Sequence, residues 1–278
     1  MNLKTSFKKK LAVIEKTLLS VLPKQSGYPQ MLNQAMRYAV LSGGKRIRPI
    51  LTLGACEAVG GKEADVIDAA CALELIHNYS LVHDDLPCMD NDALRRGKPS
   101  CHAKFDEVTA LLAGDALLTL AFKILSRSEP KKSLSNKQKS LQAIEWISEA
   151  IGNEGMVGGQ ALDMEFQKKE PDLATLEYIN THKSGALIAV SCRVGAYLGG
   201  GTPREVEWLY CHGKYVGLLF QIVDDIMDNQ GYARAIGIRD AQEKTASLLA
   251  KAKNQLLPFG KKGRFLEAIA DFIVTRKK

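Results

Sequence analysis

Along most of this chain apolar residues return every three or four positions, the period of an α-helix with one buried face. The pattern predicts helices over Leu3–Leu22, stopped by Pro23, over Gln30–Leu41, stopped by Gly43-Gly44, and over Pro49–Val59, ended by Gly60-Gly61. A mostly apolar run from Ala64 to His83 reads as a central buried helix, and Phe105–Ser126 as another strongly apolar one. Glu129–Lys139, rich in serine and lysine, reads as a surface loop, because helical patterning resumes at Leu141–Ile151, Leu173–Leu198 and Glu205–Met227. No period-two alternation of useful length interrupts the series. The expected fold class is all-α: a single large helical bundle, one domain over residues 1–278.

Composition supports a globular chain. Of 278 residues 46% are hydrophobic and 25% charged, enough to bury a large core. The net charge of +7 would permit nucleic-acid or membrane contact. Its bases are scattered, however, over Lys8–Lys10, Lys131-Lys132, Lys261-Lys262 and Arg276–Lys278, with no basic stripe interleaved with aromatics. No nucleic-acid partner is expected. The six cysteines show no zinc spacing, and several lie in apolar helical runs as small hydrophobes. Glu15 and Lys16 interrupt the first apolar segment, so neither a signal peptide nor stable membrane insertion is expected, and a reducing cytoplasm is the expected location.

The candidate chemistry is acidic and then basic. Directly behind the central helix come Asp84, Asp85, Asp90 and Asp92, followed by Arg95 and Arg96. Bunched carboxylates suit hard divalent ions, above all Mg²⁺, which bridges a few of them to substrate phosphates, and arginines beyond would hold further phosphate oxygens. Asp84 and Asp90 are six residues apart and would face different ways on a straight helix; Pro87 supplies a break that lets Asp90 swing back. A second acidic group, Asp224, Asp225 and Asp228, keeps helical spacing, with Gln221 one turn earlier, and two such groups could line opposite walls of one cleft. Gly43-Gly44 followed by Lys45, Arg46 and Arg48 outlines an anion site, although an ordinary basic turn would look the same. His77 lies about two turns before Asp84 and faces the same way, with Tyr79 and Ser80 five and four residues before that aspartate.

These motifs, with Gly158-Gly159-Gln160-Ala-Leu-Asp163 and Lys183-Ser184-Gly185, occur in an order that resembles the short-chain trans-prenyl diphosphate synthases, most nearly the bacterial farnesyl diphosphate synthases. The resemblance implies an isoprenoid-synthase bundle around a central active-site cavity, several Mg²⁺ ions on Asp84, Asp85, Asp90, Asp224, Asp225 and Asp228, and a homodimer. It implies substrates too: isopentenyl diphosphate on Lys45, Arg48, His77 and Arg96, and an allylic diphosphate met by Arg95 and Lys183. Ser184 and Gln221 would turn negative dipoles toward the carbocation, while Tyr79, beside Ser80, would floor the hydrophobic pocket and stop growth at fifteen carbons. The glycines near Gly159 would begin a helix beside the metal site, with close helix packing or a dimer contact as equal explanations. The same reaction carried to geranylgeranyl diphosphate is the alternative. A terpene cyclase fits less well, since its second motif would not repeat Asp224-Asp225, and a non-catalytic partner subunit would have lost aspartates that are intact here.

The resemblance breaks after Asp228. The family continues with a lid loop carrying a Gly-Lys pair; here Asn229-Gln230-Gly231-Tyr232 leads at once into what resembles the following helix. Either the chain lacks this loop or the numbering runs across an omitted segment. The second is the expectation, and a gap much wider than the ~3.8 Å between neighbouring Cα atoms would reveal it.

Overall fold

The computed structural model describes residues 3–127, 134–167, 169 and 171–276. Its contacts divide the chain into two compact units, Met1–Ile50 with Ile67–Lys132, and Leu51–Val66 with Ser133–Lys278. The first holds α1 (Leu3–Val21), α2 (Gln30–Leu41), most of α4 (Glu63–Asp84), α5 (Cys101–Lys104) and α6 (Glu107–Arg127). The second holds most of α3 (Ile47–Val59), then α7 (Leu134–Ile151), α8 (Met156–Phe166), α9 (Leu173–Ile179), α10 (Ala186–Leu198), α11 (Pro203–Asp228), α12 (Tyr232–Ala235), α13 (Ile238–Asn254) and α14 (Arg264–Thr275). The all-α expectation holds.

In the first unit the apolar stripes meet as their period requires: Ile14 and Leu18 of α1, Leu73 and Ile76 of α4, and Ala113 and Leu117 of α6 are all fully buried. Arg46 lies among them, donating to Glu15 (2.8 Å), to Glu74 (2.9 Å) and to the Val40 carbonyl (2.7 Å). A buried guanidinium is tolerable only when its donors are met in this way. Among the described residues α6 alone is long and apolar enough to cross a bilayer. Its Ala113, Leu117 and Ala121 are core residues, while Val108, Leu111 and Leu112 are exposed.

In the second unit α11 starts at a capping box: Thr202 Oγ1 accepts from the Glu205 N–H, Glu205 accepts from the Thr202 N–H, and Pro203 follows the cap. Its early half packs closely on α10, where a β-carbon on Gly213 would press on the Ala189 backbone.

Three details differ from the expectations. First, α7 begins at Leu134, inside the stretch read as a loop; residues 129–133 of that stretch lie outside the described residues. Second, the run read as one helix over Leu173–Leu198 is interrupted by a π-helical turn, Asn180–Gly185. Third, Leu94–Arg95 (β1) and Lys98–Pro99 (β2) pair as a small antiparallel hairpin, too short to show a period in sequence. Its turn residues Arg96 (φ 56°) and Gly97 (φ 73°) both have positive φ, the geometry that two-residue hairpins prefer. Where the resemblance places a lid loop, the residues run on directly. Asn229 takes the left-handed conformation that ends α11, Tyr232 N–H reaches back to Asp225 Oδ2 (3.0 Å), and Ala233 N–H bonds the Gln230 carbonyl (2.9 Å), so a short closed turn joins α11 to α12.

Candidate active site

Helix α4 ends at Asp84, and the chain then curls back on itself. Leu86 N–H bonds the His83 carbonyl (3.1 Å), Asn91 N–H bonds that of Leu86 (3.1 Å), and Asp90 N–H bonds that of Asp84 (2.9 Å). The return of Asp90 toward Asp84 expected from Pro87 is thus achieved by backbone hydrogen bonds. Asp84 is half-buried and Asp90 exposed. Asp85 is buried instead and accepts from Arg95 Nε (2.9 Å) and Nη2, while Arg95 also reaches Asp92 (3.2 Å). Burial raises the Asp85 pKa and the arginine opposes the rise. Arg95, expected at a substrate, here neutralises an acid.

The basic side of the same unit gathers around His77. Burial first, then the charges of Arg48 and Arg96, hold this imidazole well below its ordinary pKa, so it is neutral near pH 7. Burial also lowers Arg48 to about 10, which leaves it charged. Arg96 Nη1 donates to the Gly43 carbonyl, and a β-carbon on Gly44 would stand 2.8 Å from the same nitrogen, so the glycine pair lets the arginine lie on the backbone. Lys45 is exposed, and Ser80 spends its hydroxyl on the His77 carbonyl (3.0 Å). Tyr79 is 7% exposed and packs edge-on against the His83 ring at 5.7 Å.

In the second unit the π turn does the positioning. It carries Lys183 and Ser184 to the wall of a cavity of about 420 Å³, which Gln221, Asp225, Asp163 and Asn180 also line. π turns are often found at functional sites. Lys183 Nζ contacts Asp163 at 2.5 Å. A β-carbon on Gly159 would stand 2.9 Å from the His182 carbonyl carbon, and closer still to the Lys183 nitrogen, so the glycine lets α8 pack closely on the π turn. Asp225 is buried, accepting from Gln221 Nε2 (3.1 Å) and from the Tyr232 N–H (3.0 Å); burial raises its pKa against these bonds. Asp224, half-buried, accepts from Arg276 Nη2 at 2.6 Å, and the Arg276 guanidinium stacks on Phe220 at 3.8 Å. Asp228 is exposed at the end of α11.

The cavity therefore brings together Lys183, Ser184, Gln221 and Asp225, but Asp224 and Asp228 are not part of its lining. Sequence reading missed the roles of Asp163, Asn180 and Arg276. Asp163 had a signal, closing the Gly158–Asp163 motif; Arg276, 52 residues from Asp224, had none. Among the described residues no three His, Cys, Asp or Glu side chains converge as a ready-made metal cage.

A chain built almost wholly of helix, with aspartates at the end of α4 and, separately, at the end of α11, has the fold class of the all-α isoprenoid synthases. Residues 29–261 match the polyprenyl synthetase family and the chain belongs to it, which places it among the short-chain prenyltransferases. It is 46% identical over 228 residues to geranylgeranyl pyrophosphate synthase 4 of Arabidopsis thaliana, covering 81% of this chain but spanning only 60% of that protein's length. It superposes on a solved FPP/GFPP synthase of Zymomonas mobilis with TM-score 0.92, 37% identity and 99% coverage of each chain. A putative farnesyl-diphosphate synthase of Marinomonas sp. MED121 gives 0.88, 38% and the same coverage.

Proposed function

We propose that this protein condenses isopentenyl diphosphate with dimethylallyl or geranyl diphosphate to give farnesyl diphosphate and free diphosphate. The observation that carries the reading is the location of the acids. Asp84 stands at the last residue of α4 and Asp228 at that of α11, where the helix dipole adds partial negative charge to the carboxylates, so each group calls for a cation. Asp84 and Asp90, and Asp224 and Asp228, are the residues that would hold Mg²⁺, with Asp85 and Asp225 supporting them from their protein partners. Hard carboxylate oxygens suit Mg²⁺, an ion that completes its shell with water and substrate phosphate. Bound there, it supplies charge stabilisation to the departing diphosphate.

The protein's own groups do the rest. Lys183 adds positive charge at the leaving diphosphate, and Ser184 and Gln221 turn dipoles toward the allylic cation. Lys45, Arg48, His77 and Arg96 hold isopentenyl diphosphate without metal, His77 as a neutral hydrogen-bonding ring. The double bond attacks the cation, and the released diphosphate accepts the proton lost in the final elimination.

The fifteen-carbon product is supported by Tyr79, whose ring is packed and buried five residues before Asp84. A second reading, geranylgeranyl diphosphate, is favoured by the name of the plant relative. The test is product chromatography with isopentenyl diphosphate and each allylic starter, with and without Mg²⁺. A fifteen-carbon product that disappears with chelator supports the proposal; a twenty-carbon product selects the second reading; no product from any starter overturns both. A homodimer belongs to the proposal, supported by the exposed Val108, Leu111 and Leu112 of α6, and light scattering at the monomer mass would remove it. So does a reducing cytoplasm, supported by the buried thiols Cys56, Cys71, Cys101 and Cys192.

A further inference from the structure

The turn that joins α11 to α12 does more than reverse the chain, because Gln230, Gly231 and Arg234 all line the 420 Å³ cavity beside Lys183, Ser184 and Gln221. Its position is fixed on several sides. Tyr232 is fully buried with the Lys244 ammonium 4.8 Å over its ring, Lys244 is paired with Glu177, and the Tyr232 N–H is held by Asp225. Gly231 (φ 48°) lies so close that a β-carbon would press onto the Asp225 carboxylate. Arg234, one turn of chain further on, is exposed, and its Nε donates to the Asn229 carbonyl at 3.0 Å. That bond holds the guanidinium and leaves its Nη groups as donors for a ligand.

The cavity lining also holds the carboxylates Asp163 and Asp225, and the difference between its two cations points the same way. These are Lys183 and Arg234, and Lys183 is already paired with Asp163. Arg234, by contrast, donates to a neutral carbonyl rather than to a carboxylate. A planar guanidinium with two adjacent donors matches two phosphate oxygens. We propose that Arg234 is a substrate-binding residue, gripping the diphosphate of the allylic substrate inside this cavity together with Lys183. This rests on the prenyl-transfer reading above and adds to it a residue that none of the sequence motifs contains.

Inorganic pyrophosphate with Mg²⁺ is the probe, titrated calorimetrically into the wild-type chain, Arg234→Gln and Arg234→Lys, with steady-state kinetics on the same proteins. Loss of one charge-assisted contact should weaken pyrophosphate binding by about tenfold or more in Arg234→Gln. The KM for geranyl diphosphate should rise in parallel, the KM for isopentenyl diphosphate should stay within about twofold, and lysine should restore part of the loss. Wild-type turnover with Arg234→Gln matching it in pyrophosphate affinity and geranyl KM overturns this inference alone. A wild-type chain that neither binds pyrophosphate nor turns over overturns it together with the reading beneath it. An equal rise in both KM values, or a lowered unfolding midpoint in Arg234→Gln, also counts against it, since a positioning role in the turn would produce either.

Discussion

Gly159→Ala tests whether the spacing between α8 and the π turn sets the activity. The added carbon would meet only backbone, the His182 carbonyl carbon and Lys183 Cα at 2.9 Å with the Lys183 nitrogen nearer still, so no side chain can rotate away. Ordinary contact begins near 3.4 Å, and the two elements must part by about 1 Å at the nearest pair. Overpacking of this kind is expected to remove about 1–3 kcal/mol of stability. The same movement displaces Lys183 and Ser184 from Gln221 and Asp225, which share their cavity. A misplacement of about 1 Å among groups that position a substrate can cost on the order of 100-fold in rate. The assay is steady-state condensation of isopentenyl and geranyl diphosphates, alongside urea unfolding. A kcat lowered by about 10- to 100-fold in protein that is still folded at assay temperature is expected. Wild-type kcat with an unchanged midpoint would refute the reasoning, because the β-carbon would then have been accommodated without moving the π turn.

Other perturbations test other parts. Tyr79→Ala should lengthen the product beyond fifteen carbons by chromatography, and an unchanged product would remove Tyr79 as the floor. Glu74→Gln strips the buried Arg46 of a carboxylate 2.9 Å away and should destabilise by about 3 kcal/mol in urea unfolding; a change under about 1 kcal/mol would mean that Glu15 and the Val40 carbonyl suffice. His212 is buried in the second unit with Nδ1 on the Ala252 carbonyl (3.0 Å), and burial pushes it from 6.5 down to about 4. The unfolded chain therefore takes up this proton first as pH falls, so stability is complete above about 6.5 and is lost toward about 4, by about 3 kcal/mol in all. His212→Asn should flatten that part of the pH dependence of unfolding, and an unaltered slope would assign the loss to other groups.

The sequence was most legible where period and punctuation agreed. Gln30–Leu41 was read to the residue because an amphipathic stripe runs straight into Gly43-Gly44, and α4 ends within one residue of the expected His83. The π turn escaped because Asn180–Gly185 contains no proline and its one glycine comes last, so no punctuation separates the flanking helices and only the backbone shows the extra residue per turn. The hairpin escaped because its strands are two residues long, although Arg96-Gly97 was a turn signal in plain view. At the site, local relations could be read: the return of Asp90 to Asp84 follows from the break at Pro87, and the alignment of Gln221 with Asp225 from their spacing. Pairings across long separations could not. That Arg46 would be entombed between Glu15 and Glu74, or that Arg276 would rest on Asp224, depends on packing that no periodicity encodes.

Asp225 faces in two directions. Through Gln221 it belongs to the second aspartate group, and through the Tyr232 amide it anchors the chain that leaves α11. Crossing length and carboxylate environment are thereby coupled into one variable. Residues inserted between Asn229 and Tyr232 would draw that amide away from Asp225, so a longer crossing would also alter the surroundings of the acid beneath it.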